Sequence, residues 1–188
     1  MACPGSPGKQ GQLMKTPLLQ GSLVELRRIE RRDLETLYGL MQREVFREGF
    51  FQTRSELVAE FDRDGFWSDQ RGRLIVSPNG TTDILGQISF FKDSGYKDGY
   101  EVGYVIYEKM HWGNGYATEA LKLLVDYLFD TRDINRLELS IRTINPASRR
   151  VAEKSGFIHE GCSRGVILIE GQYYDMDIFS IIRADREN

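Results

Sequence analysis

The chain has 188 residues, 40% of them hydrophobic and 28% charged, which suits one domain with a single sizeable core and leaves little room for two. A formal charge of -3 and the lack of any basic cluster interleaved with aromatics make nucleic acid an unexpected partner. Two cysteines, Cys3 and Cys162, are too few for a disulfide framework, no apolar run approaches the ~18 residues of a membrane span, and no signal peptide opens the chain, so the expected location is cytoplasmic, with no membrane partner.

Residues 1–20 are rich in Gly, Pro, Gln and Lys and read as a flexible extension ahead of a single domain at residues 21–188. In residues 22–29, Leu23, Glu25 and Arg27 alternate with Val24 and Leu26 and predict a first strand. Leu34, Leu37, Leu40 and Met41 share one face of a helix over residues 33–43, and Thr53 with Glu56 forms a capping box for a second helix carrying Leu57, Val58 and Phe61. Residues 74–77, a Pro78-Asn79-Gly80 turn and residues 84–91 predict an antiparallel hairpin, with Asn79 and Gly80 at positions of positive φ. Residues 100–107 read as a fourth strand. After a glycine-punctuated turn at 111–116, Ala120, Leu121, Leu124, Val125, Leu128 and Phe129 fall at helical spacing within residues 117–130. A fifth strand at 136–142 turns Leu137, Leu139 and Ile141 inward, Asn145-Pro146 opens a shorter helix ended by Gly156, and residues 157–160 and 172–182 supply two last strands. The order βααβββαβαββ describes a mixed α/β (α+β) domain, about seven strands flanked by about four helices.

The stretch from Trp112 to Ala120 (Trp-Gly-Asn-Gly-Tyr-Ala-Thr-Glu-Ala) sets two glycines between a strand and an amphipathic helix. Glycine lets the backbone approach an anion closely, and the unpaired amides of a helix start carry roughly half a positive charge, so the turn suits a pyrophosphate. A purely structural strand-to-helix turn has the same appearance. The Walker loop is excluded for want of Gly-Lys-Ser/Thr, and the dinucleotide fingerprint for want of a third small residue and an early βαβ position.

Glu101-Val102-Gly103-Tyr104-Val105-Ile106-Tyr107 followed by that turn closely resembles the acetyl-CoA motif of the GNAT superfamily of N-acetyltransferases. Asn145-Pro146-Ala147-Ser148, Val151 to Phe157 (Val-Ala-Glu-Lys-Ser-Gly-Phe), Glu160-Gly161 and Tyr173 to Phe179 are similar to the Rim-type branch, whose founding members acetylate the N-termini of ribosomal proteins. The likeness spans about residues 22–183 and departs at Met110, where the superfamily often carries Gln or Arg. It implies a twisted, mostly antiparallel sheet whose fourth and fifth strands splay, with the pantetheine arm of acetyl-CoA between residues 104–107 and 139–142. The diphosphate would then lie on the amides of Trp112, Gly113, Asn114, Gly115, Tyr116 and Ala117, with Arg149, Arg150 and Lys154 near the 3′-phosphate. Solvated basic residues on a helix face look the same in sequence.

Attack of an amine on a thioester needs a neutral nucleophile, a stabilised oxyanion and a proton for the departing thiolate. Backbone amides at Val105 and Ile106 are the expected oxyanion donors. The resemblance implies that Ser148 supplies the proton and that Asn145 bonds the pantetheine arm; Asn145 is equally an N-cap. Glu101 is the candidate base, directly or through water, although an N-terminal amine, with a pKa near ~7.7 to 8.0, does not strictly require one. His111 and His159 read as structural, and no metal-ligand spacing occurs. Glu48, Phe50, Tyr173 and Asp175 are the expected acceptor-binding residues, acids and aromatics that suit a cationic amine.

Since neither cysteine occupies a motif position, the expected reaction is direct attack through a tetrahedral intermediate. The acceptor is open between a protein N-terminal α-amine and a small-molecule amine, and the state between monomer and homodimer. A CoA-binding regulatory module without turnover is the alternative.

Overall fold

The computed structural model describes residues 18–43, 52–92 and 99–186. Its strands are β1 (Leu19–Gln20), β2 (Val24–Arg28), β3 (Arg71–Pro78), β4 (Gly86–Phe91), β5 (Gly99–Ile106), β6 (Arg136–Arg142), β7 (Ile158–Ile169) and β8 (Gln172–Ile182). They form one sheet in the order β1-β2-β3-β4-β5-β6-β8-β7, antiparallel everywhere except between β5 and β6. Among the described residues four α-helices cover it: α1 (Leu34–Met41), α2 (Arg54–Asp64), α3 (Tyr116–Thr131) and α4 (Pro146–Lys154). None is long and apolar enough to cross a membrane among the described residues.

Helices lie on both faces because the strands are apolar on both. On one face Val24, Leu26, Leu74, Val76, Ile88 and Phe90 pack with the buried side of α3, whose Ala120, Leu121, Leu124, Val125, Leu128 and Phe129 are the six residues that the spacing assigned. Removing one of those leucines to alanine would cost about 2–5 kcal/mol, since nothing nearby collapses into the void without loss. On the other face Leu34, Leu37 and Leu40 of α1 and Leu57 of α2 meet Ile75 and Tyr107. The Thr53–Glu56 capping box is present, and Gly65 ends α2 in the left-handed region at φ 61°. Strand β6 alternates as expected, with Leu137, Leu139 and Ile141 buried.

Three expectations are corrected. Leu19–Gln20, assigned to the flexible extension, pairs with β2, because Leu18 and Leu19 find apolar cover on the main core. In the turn between β3 and β4, residues 79–85, Gly80 alone of the two expected positions takes positive φ (74°), while the Asn79 side chain donates to the Gly21 carbonyl at 2.9 Å. Strand β7, expected to end at residue 160, continues to Ile169. Its exposed, irregular pattern carries no period-2 signal, and pairing with β8 across register shifts holds it in the sheet.

Candidate active site

Strand β6 is paired along its whole length with β8, from Arg136↔Ile182 to Arg142↔Met176, but with β5 only at Gly99↔Arg136, Tyr100↔Leu137 and Glu101↔Glu138. Beyond Glu101 the two strands part. Gly99 makes the closed end possible, since a Cβ there would lie 2.0 Å from the Arg136 carbonyl oxygen. A cavity of about 260 Å³ opens in the gap, lined by Val102, Tyr104, Leu139, Ile141, Asn145 and Ser148, with Ile167 and Met176 of the β7–β8 hairpin closing it.

Backbone alternation decides which amides face this gap. The Tyr107 N–H donates to Leu85 O across the β4 side (2.9 Å), so within the antiparallel ladder the N–H groups of Val105 and Gly103 also point to β4, and those of Ile106 and Tyr104 point the other way. Of the expected pair, Ile106 therefore presents its amide to the gap and Val105 does not. Tyr104 takes the vacated place. Side chains alternate too: Val105 packs with the α1–α2 layer, and with it on that face lie Gly103 and Glu101, while Val102, Tyr104 and Ile106 face α3 and α4. Glu101 thus sits at the closed end on the α1–α2 face, and Ser148 reaches the gap from α4 on the opposite face.

At the mouth of the gap the chain turns into α3 through Gly113 (φ 79°) and Gly115 (φ 86°), backbone that side-chain-bearing residues rarely adopt. Gly115 is the N-cap and contributes no side-chain bond. Among the described residues no group accepts from the N–H of Gly113, Asn114, Gly115, Tyr116, Ala117 or Thr118; the helix ladder starts with Glu119 N–H to Gly115 O at 3.0 Å. The Trp112 indole, half exposed, donates to Ile106 O at 2.8 Å and braces the turn on the end of β5. Tyr116 packs on the main core, and Met110 points to solvent.

Asn145 is the N-cap of α4, its side-chain oxygen accepting from Ser148 N–H at 3.0 Å, and it also lines the cavity. Arg149 is turned elsewhere: its guanidinium pairs with Glu153 (3.0 Å) and with the buried Asp177 (3.3 Å) and lies over the Phe179 ring. Asp177, the partner that turns the guanidinium this way, lies in β8 and is invisible in local sequence. His159 meets the same Asp177 at 3.1 Å, the structural role expected of it. Asp175 accepts from Gly165 N–H at 2.8 Å, supporting the irregularity in β7, and Tyr173 is largely solvent-exposed; the hairpin reaches the gap through Ile167 and Met176 instead. Glu48 and Phe50 lie outside the described residues.

Two residues escaped the sequence reading. The Tyr104 hydroxyl crosses the gap to donate to Ser148 O at 3.1 Å, and burial pushes its pKa up to about 12, an effect the bond to Ser148 only partly offsets. In the first turn of α3, Glu119 accepts from the backbone N–H groups of Ser22 (2.9 Å), Leu23 (2.7 Å) and Val24 (2.8 Å) and from the Ser22 hydroxyl. An acid four residues past the second glycine was the available signal for the latter, and a tyrosine of gap-facing parity on β5 for the former.

Residues 24–158 match the acetyltransferase (GNAT) domain family. A protein of Bacillus subtilis described as a probable N-acetyltransferase, YjcK, is 28% identical over 182 residues, covering 90% of this chain and 99% of that one. The ribosomal-protein-serine acetyltransferase of Escherichia coli is 30% identical over 100 residues, 53% of this chain and 55% of that one. Among solved structures, spermidine N-acetyltransferase from Vibrio cholerae in complex with CoA and spermine superposes with a TM-score of 0.77 at 22% identity, covering 89% of this chain and 100% of that one, a likeness of fold.

Proposed function

The chain belongs to the acetyltransferase (GNAT) family and is an N-acetyltransferase that moves an acetyl group to an amine; from that premise we propose that it takes the acetyl group from acetyl-CoA and delivers it to a primary amine by direct attack in the gap between β5 and β6. The observation that carries this reading is the row of unbonded amides from Gly113 to Thr118 at the mouth of that gap. Such donors in a helix start suit a diphosphate. Cavity and turn together suit the cofactor, a slot for an extended arm beside an anion cradle. Acetyl-CoA, when bound, supplies the activated thioester.

In this reading the chain's own groups divide the work. Ile106 and Tyr104 offer backbone N–H groups to the thioester oxygen as the amine's electron pair enters its carbon and negative charge grows there. Glu101, on the α1–α2 face, receives the proton that the attacking nitrogen sheds. Ser148, on the α4 face, gives a proton to the thiolate as the carbon–sulfur bond breaks, and solvent returns the proton from Glu101 to the serine. Tyr104 fixes the Ser148 backbone from across the slot. Asn145 caps α4 and bonds the arm; Arg149, Arg150 and Lys154 are the groups offered to the 3′-phosphate.

We take a protein N-terminal α-amine as the first acceptor, on the strength of the Rim-type motifs and of the Escherichia coli relative that acetylates a ribosomal protein by description. A polyamine is second, on the fold likeness to the spermidine enzyme. Peptides with free α-amines, ε-amine-only peptides and polyamines, each incubated with acetyl-CoA, should separate them: thiol release together with a one-acetyl mass gain is expected on the first set. Turnover on polyamines alone would overturn the acceptor assignment, and tight CoA binding with no turnover on any amine would restore the regulatory-module alternative, which finds no support among these relatives.

A further inference from the structure

Glu119 raises an electrostatic problem under the reading just given. A carboxylate in the first turn of α3 sits beside the amides assigned to a diphosphate, where it would repel the ligand or compete for the same donors. It does neither, because its oxygens are turned outward onto Ser22, Leu23 and Val24, more than 90 residues away in sequence. The α3 amides stay open while those of the β1–β2 turn are satisfied. Gly21 leaves the room: a Cβ there would lie 2.6 Å from the Glu119 carboxyl carbon and from one of its oxygens. Asn79, donating to Gly21 O at 2.9 Å, holds that turn from behind. On the far side, Leu23 Cδ1 comes within 3.4 Å of where a Gly115 Cβ would be, so residues 21–24 form a wall against the phosphate turn itself.

We propose that Glu119, with Gly21 as its seat, is a positioning residue that fixes the phosphate turn against the β1–β2 turn and thereby sets affinity for the diphosphate of CoA without touching the transfer chemistry. The proposal rests on the acetyl-CoA reading above. Its direct counterpart is a thioester without a diphosphate. S-acetylpantetheine offers the same acetyl group and arm but nothing for the turn to hold, so an effect confined to acetyl-CoA separates positioning of the turn from damage to the fold.

The experiment compares acetyl-CoA with S-acetylpantetheine in the wild type, Glu119→Gln and Gly21→Ala, with the acceptor saturating. Glu119→Gln keeps the size of the side chain but turns an amide NH₂ toward backbone donors. Gly21→Ala displaces the carboxylate with no change of charge, and the atom it strikes is the movable end of a side chain. Both variants should raise KM for acetyl-CoA by about tenfold with kcat within about twofold, the pattern of lost uniform binding, and should leave kcat/KM for S-acetylpantetheine at its wild-type value. Equal losses on both thioesters, or tighter acetyl-CoA binding in Glu119→Gln, would overturn the positioning role. A wild-type preference for acetyl-CoA that both variants retain in full would overturn it as well while leaving the diphosphate assignment standing. Wild-type kcat/KM values that are the same for both thioesters would remove that assignment and the latch with it.

Discussion

Helices α3 and α4 both begin beside the same gap, and they begin differently. The first turn of α4 is closed in the usual way, with Pro146 at N1 and the Asn145 side chain accepting from Ser148 N–H. The first turn of α3 has glycine at its N-cap, no side-chain acceptor, and its one nearby carboxylate committed to another turn of the chain. A glycine N-cap forgoes only about a few tenths of a kcal/mol relative to Ser, Thr, Asn or Asp. That α2 also carries a full capping box makes the open start of α3 a property of its place rather than of the sequence's general habit. Closed starts stabilise the fold, and the open one is the one to which the proposed reading assigns the diphosphate.

The largest test of that contrast falls on the glycines. Gly115→Val puts a branched side chain at φ 86°, against Leu23 and over the amides; the backbone strain is of order 1–3 kcal/mol, but the loss of approach should remove acetyl-CoA affinity by a hundredfold or more, roughly 2.7 kcal/mol in binding. Calorimetric titration with CoA, read beside a melting curve, checks it. Retained affinity in a folded Gly115→Val protein would break the assignment of the turn. Next in size are the groups placed on opposite faces of the slot. Ser148→Ala should lower kcat by about a hundredfold, within the range of general acid catalysis, with CoA affinity nearly unchanged. Glu101→Gln should lower it less on an α-amine acceptor than on a lysine or polyamine, because the α-amine already has an appreciable neutral fraction near pH 7. Pre-steady-state thiol release with both acceptors measures the difference.

How much of this could be read from the residues in order divides along similar lines. Periodicity named the buried face of α3 residue by residue and the inward positions of β6, because both are local repeats of 3.6 or 2. It also set the capped start of α4, since Asn145-Pro146 is a contiguous signal. The splay of β5 from β6 was available only through family resemblance: nothing in the apolar alternation of 136–142 says that one edge pairs along its length and the other for three residues. Contacts closed through space were not legible. The tie from Tyr104 to Ser148 spans 44 positions and that from Glu119 to Ser22 spans 97. The pairing of Arg149 in α4 with Asp177 in β8, 28 residues on, was hidden for the same reason. Strand β7 was cut short because its exposed residues carry no repeat.

The capped starts offer a finer test. Thr53→Ala in α2 and Asn145→Ala in α4 each remove a side-chain acceptor from a helix start, and each should cost about 1 kcal/mol of stability, seen as a few degrees in Tm for a domain of this size. Thr53 has no part in the slot, whereas Asn145 lines it. The two variants should therefore lose stability alike, and only Asn145→Ala should raise KM for acetyl-CoA, by a few fold. A matching rise in Thr53→Ala would mean that KM simply follows stability, and the double duty assigned to Asn145 would fall.

The smallest effect concerns the carboxylate that leaves α3 open. Burial alone would raise the Glu119 pKa, but its bonds to the Ser22 hydroxyl and to the Val24, Leu23 and Ser22 amides outweigh it and hold the group below its ordinary 4.5. With the folded value depressed, the stabilisation it contributes is fully present above pH 4.5 and is lost as pH falls through the folded value. The gap in Tm between wild type and Glu119→Gln should accordingly be level from pH 8 to pH 5 and close as acid protonates the carboxylate, because a protonated carboxyl no longer accepts three amides at full strength. A gap that stays constant down to pH 3, or one that widens, would show that the charge on Glu119 contributes nothing to holding β1–β2 against the open start of α3.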